Sequence, residues 1–449
     1  MTMSSSEFSG EQGWQERVAS QFPLLQSPRA QKGFGSAEHP SRLAYLDTAA
    51  TSQKPQVVIQ AEQAFYSSIN AGVHRGTHRL AVEATQAYET ARARIATFVN
   101  ASSEEGQEEI VFTSGATAGL NELATSIGWA SLPAALSDVD VQARARFGLH
   151  EGDEILTSIA EHHSVLLPFQ QLARRTGATL TIADVEDDGR LDAQKVCDKI
   201  TPRTKIVALT AASNVTGALT PLKAIVQKAH QVGALVIADF CQAAPHLRLD
   251  VADLDVDFAC WSAHKMYGPT GVGFLYGKRE LLELLPPANF GGEMVDLAWL
   301  DKQAQWSAAP FKFEAGTQPV AQVVAAGVAA QWLTSVGFDA LQAHEREIGT
   351  ALLKVADIPG IRVLGPLDMN ERLATVSFEV EGVHPHDVGQ FLDSYGVAIR
   401  TGHHCAQPIH RRFGVYSSNR ASAGVYTTAE DVEQFMDAVA QIRPYFLGK

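Results

Sequence analysis

The sequence predicts an α/β fold, with a mostly parallel central sheet followed by a smaller α+β unit. Three observations lead there. From about Tyr45, short apolar runs bounded by turn residues alternate with helix-length amphipathic segments, as expected for strands covered by helices on both faces. Beyond about residue 335 the pattern shifts to a mixture of few strands and helices. The chain has 449 residues, 45% hydrophobic and 19% charged, enough to bury a large core in two or three domain-sized units.

Residues 1–40 are polar, rich in Ser, Gln and Gly and without sustained periodicity, so they read as a flexible arm with at most one short helix. Strands are then expected at Glu109–Thr113, Glu154–Ser158, Leu180–Ala183, Lys205–Thr210, Ala234–Asp239, Phe258–Ser262 and Gly273–Tyr276. Amphipathic helices such as Val165–Thr176 and Leu222–Val232 fall between them. The acidic, Ala-rich stretch inside Gly128–Gly152 reads as a surface excursion. In the last third, strands are expected at Ile361–Leu364, Ala374–Val380, Val397–Arg400 and Ala421–Tyr426. A helix is expected at His386–Tyr395 and a final one from Glu430.

Composition excludes some partners. Lys and Arg number 36 against 50 Asp and Glu, for a net charge of −14, a poor balance for holding phosphate backbones or anionic membranes. No run approaches the ~18 apolar residues of a spanning helix. The N-terminus has neither the basic nor the apolar region of a secretory signal. Cys197, Cys241, Cys260 and Cys405 form no CxxC pair, so no structural metal knuckle or disulfide scaffold is indicated and a reducing cytoplasm is expected.

In an open parallel sheet, ligands sit beyond the carboxyl ends of the strands, and polar residues gather there. EEIVFTSGATAGLNEL reads as strand, glycine turn and helix, a geometry that offers N–H groups and a dipole to an anion or is simply a connection. Asp239 ends an apolar strand, with Gln242 three positions on; such a carboxylate needs a partner, or caps the next helix. Ser262, His264 and Lys265 crowd the end of the next strand. An amine in that setting either reaches solvent or bonds a carbonyl carbon. Amine, strand-end carboxylate and phosphate-type turn together are the three grips that pyridoxal phosphate requires. In RTGHHCAQP, His403 and His404 flank Cys405. A reactive thiolate, a metal ligand and an inert buried thiol are the readings there. Consecutive residues of an extended segment face opposite ways, so the three cannot all hold one ion, and reactivity is favoured.

EHHSVLLPFQ, SNVTG, SAHKMYGPTG, FEAGTQP, RTGHHCAQP and RASAGVYTT, in that order and spacing, resemble the group II cysteine desulfurases of the SufS type, which are close to selenocysteine lyase. The resemblance runs from about Tyr45 to the C-terminus. It implies the fold type I of pyridoxal-5′-phosphate transferases, with a large cofactor-binding domain over 41–334, its first part packing with the small domain, and a C-terminal domain over 335–449 carrying the cysteine loop. By resemblance, Lys265 bonds the cofactor covalently and then moves protons. Asp239 pairs with the ring nitrogen, Gln242 with the ring hydroxyl, and His162 stacks on the ring. Thr117, Ser262 and His264 hold the phosphate, with Thr317 reaching the phosphate of a second subunit in a homodimer. Arg420 anchors the substrate carboxylate, assisted by Asn214 and Arg400, and Cys405 takes the sulfur of L-cysteine as a persulfide, leaving alanine. His74 and Arg75 line the mouth of the site.

Iron–sulfur cluster assembly is the implied destination of the sulfur, with selenocysteine cleavage as the alternative activity. In GVHPHDVG, His386 matches the histidine that family members present to a zinc-containing, SufU-type acceptor; a SufE-type acceptor is the competitor. The chain departs from the family pattern at EHHSV, SAHK and Ala116. Ala116 removes a hydroxyl from the phosphate turn, Glu293 lies near the family's entrance hairpin, and the 128–152 stretch has no counterpart.

Overall fold

The computed structural model describes residues 13–101, 106–136 and 139–448. The first strand, β1 (Ala44–Tyr45), precedes two long helices, Gln56–Ser68 and Arg79–Phe98. The central sheet follows: β2 (Ile110–Thr113), β3 (Glu154–Ser158), β4 (Thr179–Ala183), β5 (Thr204–Thr210), β6 (Leu235–Asp239), β7 (Phe258–Ser262) and β8 (Gly273–Gly277). Their spatial order is β2-β8-β7-β6-β5-β3-β4. The pairs from β7 to β4 are all parallel, whereas β8 runs against both β7 and β2. The physical reason is chain length: only the short 263–272 stretch joins β7 to β8, and a parallel return needs a dozen residues or more.

Strands β6 and β7 (LVIAD and FACWS) are buried throughout, so their terminal polar residues emerge from an apolar core. The helix Val320–Val336 is apolar on nearly every side and packs between Gln56–Ser68 and Arg79–Phe98. Gly327 permits that approach, because a Cβ there would lie 2.7 Å from Ala91 Cβ. The short strands β9 (Val295–Leu297) and β10 (Gln305–Trp306) form a separate antiparallel hairpin.

The C-terminal strands are β11 (Ile361–Leu364), β12 (Thr375–Val380), β13 (Val397–Ala398), β14 (Arg400–Gly402) and β15 (Ser418–Ser422). Four of them make an antiparallel sheet in the order β11-β12-β15-β14, while β13 pairs with β1 in parallel, Ala44 opposite Val397. Helices Phe338–Leu353, Pro385–Ser394 and Ala429–Leu447 pack on this sheet around a second core that holds Phe378, Leu392, Phe435 and Ile442 together with Ala44 and Leu46.

Three expectations need correction. Of the flexible arm, residues 1–12 lie outside the described residues, but Trp14–Ala19, Pro23–Gln26 and Pro28–Lys32 are helices. Trp14, Val18 and Phe22 are buried, and Phe22 packs edge-on against Tyr267, Trp332 and Tyr426. These three apolar residues join the main core although the segment is polar on average. Within the 128–152 stretch, a helix at Val141–Phe147 capped by Asp140 turns Ala143 and Phe147 into the main core. The strand expected at Ala421–Tyr426 is β15 instead, because Gly424 and Thr427 close a turn through N–H···Oγ1 and N–H···O bonds. No single helix among the described residues is long and apolar enough to cross a membrane.

Candidate active site

A cavity of about 200 Å³ opens beyond the carboxyl ends of β6 and β7, where the sheet and the C-terminal unit meet. Asp239 ends β6 and is buried; its Oδ1 accepts the Cys241 N–H at 2.9 Å, so it braces the following turn while lining the cavity. Gln242 lines the same wall and donates through Nε2 to the Ala49 carbonyl at 3.1 Å. Lys265 closes the short turn after β7. The preceding residue is locked in place: the His264 carbonyl accepts the Ser52 N–H at 3.0 Å and the Lys54 Nζ at 2.9 Å.

Opposite these, the helix Ala116–Ala130 starts at Gly115 with no side-chain cap of its own. Ser262 Oγ accepts the Ala116 N–H at 2.9 Å. The turn is seated by Gly273 of β8, where a Cβ would stand 2.4 Å from Gly115 Cα. Thr117, Ser262 and His264 all line the cavity at this end. The N-terminus of a fifteen-residue helix whose own cap residue is a glycine, with hydroxyls beside it, is a ready cradle for a phosphate.

His162 lines the same cavity, near Lys265. Burial, then the charges of Lys265, His163 and the two arginines, drives its pKa down to about 3, so the ring is neutral. Its Nδ1 accepts the Ser164 N–H at 3.1 Å, which places the proton on Nε2. His264 is likewise held neutral, down to about 4, by burial and the neighbouring Lys265 and Lys54. Lysine, strand-end carboxylate, neutral imidazole and helix N-terminus thus match the aldehyde, ring nitrogen, ring face and phosphate of pyridoxal phosphate.

The far side of the cavity is cationic. Arg400 on β14 and Arg420 on β15 are direct cross-strand partners, an arrangement that is unfavourable unless an anion sits between them. Arg420 is 1% exposed. Its Nη1 donates to the Asn214 carbonyl at 2.9 Å, its Nη2 is 3.5 Å from Asp47 Oδ1, and its Nε has no partner among the described residues. Burial pulls its pKa down to about 10 although Asp47 opposes the shift. A buried, underpaired guanidinium suits a carboxylate ligand.

From β14 the chain turns through His403, His404 and Cys405 into the helix Gln407–Arg412. His404 and Cys405 are both left-handed, with φ of 50° and 55°. Asn214 Nδ2 donates to the His404 carbonyl at 2.6 Å, and the His163 N–H donates to the Cys405 carbonyl at 2.7 Å. His410 Nδ1 donates to the Ala406 carbonyl at 2.9 Å, so its Nε2 accepts from Ser418 Oγ at 3.0 Å. Ser418 Oγ in turn accepts from His404 Nε2 at 3.0 Å. His404 reaches the cavity, and Cys405, next in the chain, is exposed.

The structure therefore gathers Lys265, Asp239, Gln242, Thr117, His162, Ser262, His264, Asn214, Arg400 and Arg420 around one cavity. His74 and Thr317 lie elsewhere, in a separate cleft of about 770 Å³ with Phe65, Tyr66 and Arg75. There His74 Nε2 meets Glu89 Oε1 at 2.9 Å. His386 is exposed near the start of Pro385–Ser394 and lines neither. Sequence reasoning missed Asp47, Ser164 and Cys241. Asp47 follows a short apolar run as Asp239 does, and Ser164 was visible as the departure in EHHSV.

The family model described as aminotransferase class-V matches residues 44–435. The chain is similar to a probable cysteine desulfurase of Streptomyces coelicolor, 42% identical over 432 residues, covering 96% of this chain and 97% of that protein. Among solved structures it resembles the Escherichia coli cysteine desulfurase CsdA at 36% identity and a TM-score of 0.79, covering 95% of this chain and 98% of that one. It also resembles the apo cysteine desulfurase of Thermococcus onnurineus at 31% identity and a TM-score of 0.84, covering 95% and 97%.

Proposed function

The chain belongs to the class V aminotransferase family, and from that premise we propose that it is a cysteine desulfurase supplying sulfur for iron–sulfur cluster assembly. The observation that carries the reading is the exposed Cys405 on a tied-down segment at the rim of a cavity that holds Lys265 and Arg420.

When bound, pyridoxal phosphate supplies an electron sink at the substrate carbon atoms. Arg420 and Arg400 receive the carboxylate of L-cysteine, and Asn214 steadies both sides, since its carbonyl holds Arg420 and its amide holds the cysteine segment. Lys265 Nζ takes the proton from the substrate Cα and returns it. The Cys405 thiolate attacks the substrate sulfur. A sulfur–sulfur bond forms, the Cβ–S bond breaks with its electron pair left on Cβ, and a proton added there completes the methyl group of alanine. In sum, one thiol and one L-cysteine give one persulfide and one L-alanine.

The test is intact-protein mass after brief exposure of the cofactor-loaded enzyme to L-cysteine without added thiol, beside Cys405→Ala. One or more added sulfur atoms in the wild type alone, with alanine formed, is the expected result. Equal alanine from both proteins with no added sulfur sinks the reading.

The persulfide needs an acceptor, and a zinc-containing protein of the SufU type is favoured over a SufE-type partner. Supporting this, His386 is exposed on the helix whose Gly389 packs against Thr401 of β14, the strand leading into the Cys405 segment. His386→Ala should lose stimulation by a zinc-loaded acceptor while keeping turnover with a small thiol; unchanged stimulation removes the role. A homodimer is supported by Thr317 and His74, which face a cleft apart from their own Lys265. Four free cysteines support a cytoplasmic setting.

A further inference from the structure

We propose that His163 is a positioning residue for sulfur transfer, holding the Cys405 segment at the edge of the cavity by two hydrogen bonds. The proposal rests on the reading of Cys405 as the sulfur acceptor.

Two grips come from one residue. The His163 backbone N–H donates to the Cys405 carbonyl at 2.7 Å, and its ring Nε2 accepts the Gln407 N–H at 3.2 Å. The first residue of the helix His163–Thr176 therefore holds the chain at the cysteine and again two positions later. The adjacent His162 lines the cofactor cavity. Neighbouring residues on one rigid helix start thus register the cofactor and the thiol against each other.

The segment needs such a hold. His404 and Cys405 are consecutive left-handed residues without being glycine, a backbone state kept only when surroundings over-determine it. The Asn214 bond to the His404 carbonyl secures the segment ahead of the thiol; at the thiol and beyond it, His163 supplies the bonds to the Cys405 carbonyl and the Gln407 N–H. The ring must stay neutral to accept the Gln407 N–H, and burial together with nearby His403 lowers its pKa.

Removing the ring should let the thiol drift. A misplacement of ~1 Å in a reacting group costs on the order of 100-fold in rate. The experiment uses the full-length, cofactor-loaded enzyme with His163→Ala and His163→Gln, whose side-chain oxygen can reach the Gln407 N–H. Four readouts are taken: cofactor absorbance, KM for L-cysteine, kcat for persulfide formation, and the rate of Cys405 alkylation by iodoacetamide. For His163→Ala, kcat should fall about 10- to 100-fold with KM and absorbance unchanged, and the alkylation rate should change. His163→Gln should recover most of kcat and the wild-type alkylation rate.

Unchanged kcat and alkylation in His163→Ala overturn the proposal. A loss of absorbance and kcat together, without recovery in His163→Gln, overturns it too, since that is general misfolding around His162. Cys405→Ala run alongside separates the premise: if it forms alanine at the wild-type rate, the cysteine reading fails, and His163 is judged on alkylation alone, where identical rates in all three proteins overturn it.

Discussion

At the scale of single residues, the phosphate end of the cavity shows a hydroxyl moved from one element to another. Ala116 offers none, but Ser164 Oγ stands 2.7 Å from Thr117 Oγ1 and 3.0 Å from His162 Nδ1 within the same cavity. A hydroxyl on the neighbouring helix therefore stands beside Thr117 at the end of the cavity where the sequence lacks one at Ala116. Ser164→Ala should raise the cofactor dissociation constant about 2- to 10-fold, the worth of one hydrogen bond, as read by absorbance during dialysis; equal retention in both proteins refutes it. Lys265, Asp239 and Cys405 were legible because each breaks an apolar or glycine-containing pattern. Ser164 stood out as a departure, but its bond to Thr117 and that of His163 to Gln407 were not legible, since the partners lie 47 and 244 positions apart, and no local pattern encodes such a bond.

At the scale of elements, strand existence was legible where side chains are apolar on both faces, as in β6 and β7, whereas the N-terminal helices were not, because their hydrophobic residues are few and only their placement against Tyr267 and Trp332 makes them core. The direction of β8 followed from loop length rather than composition. The carboxyl ends of β3 and β5 are tied by Glu161, which is fully buried and bonded to Ser158 Oγ at 2.5 Å and the Thr210 N–H at 2.7 Å. Burial, reinforced by the nearby Asp239, raises its pKa to about 8 although both bonds oppose the shift. The folded chain thus keeps a proton there that the unfolded chain gives up above its ordinary value of 4.5. Stability contributed at this site is whole below that value and declines as pH rises toward 8, by at most ~1.4 kcal/mol per pH unit. Glu161→Gln, neutral and of the same shape, should flatten the fall in melting temperature between pH 5 and 8; an identical slope in both proteins would falsify this.

At the scale of the whole molecule, the cavity is composite: the candidate cofactor grips come from the large sheet, while Arg400, His404 and Arg420 come from the C-terminal sheet and the segment that follows β14. The cleft that holds His74 and Thr317 is bordered by exposed apolar residues, among them Tyr66 at 56% and Phe311 at 36%, a patch of the kind that marks association. Sedimentation should give twice the 48.3 kDa of the chain, and Tyr66→Lys should shift it toward monomer with weaker cofactor retention; a wild-type monomer that holds cofactor fully removes the dimer reading. The composite cavity also imposes a timetable on biosynthesis. Every candidate cofactor grip within the cavity has left the ribosome by the end of β8, whereas Arg400 and Cys405 emerge about 120 residues later, ~6–25 s at ~5–20 residues per second. The growing chain therefore carries the groups for catching the coenzyme well before it has any means of spending cysteine.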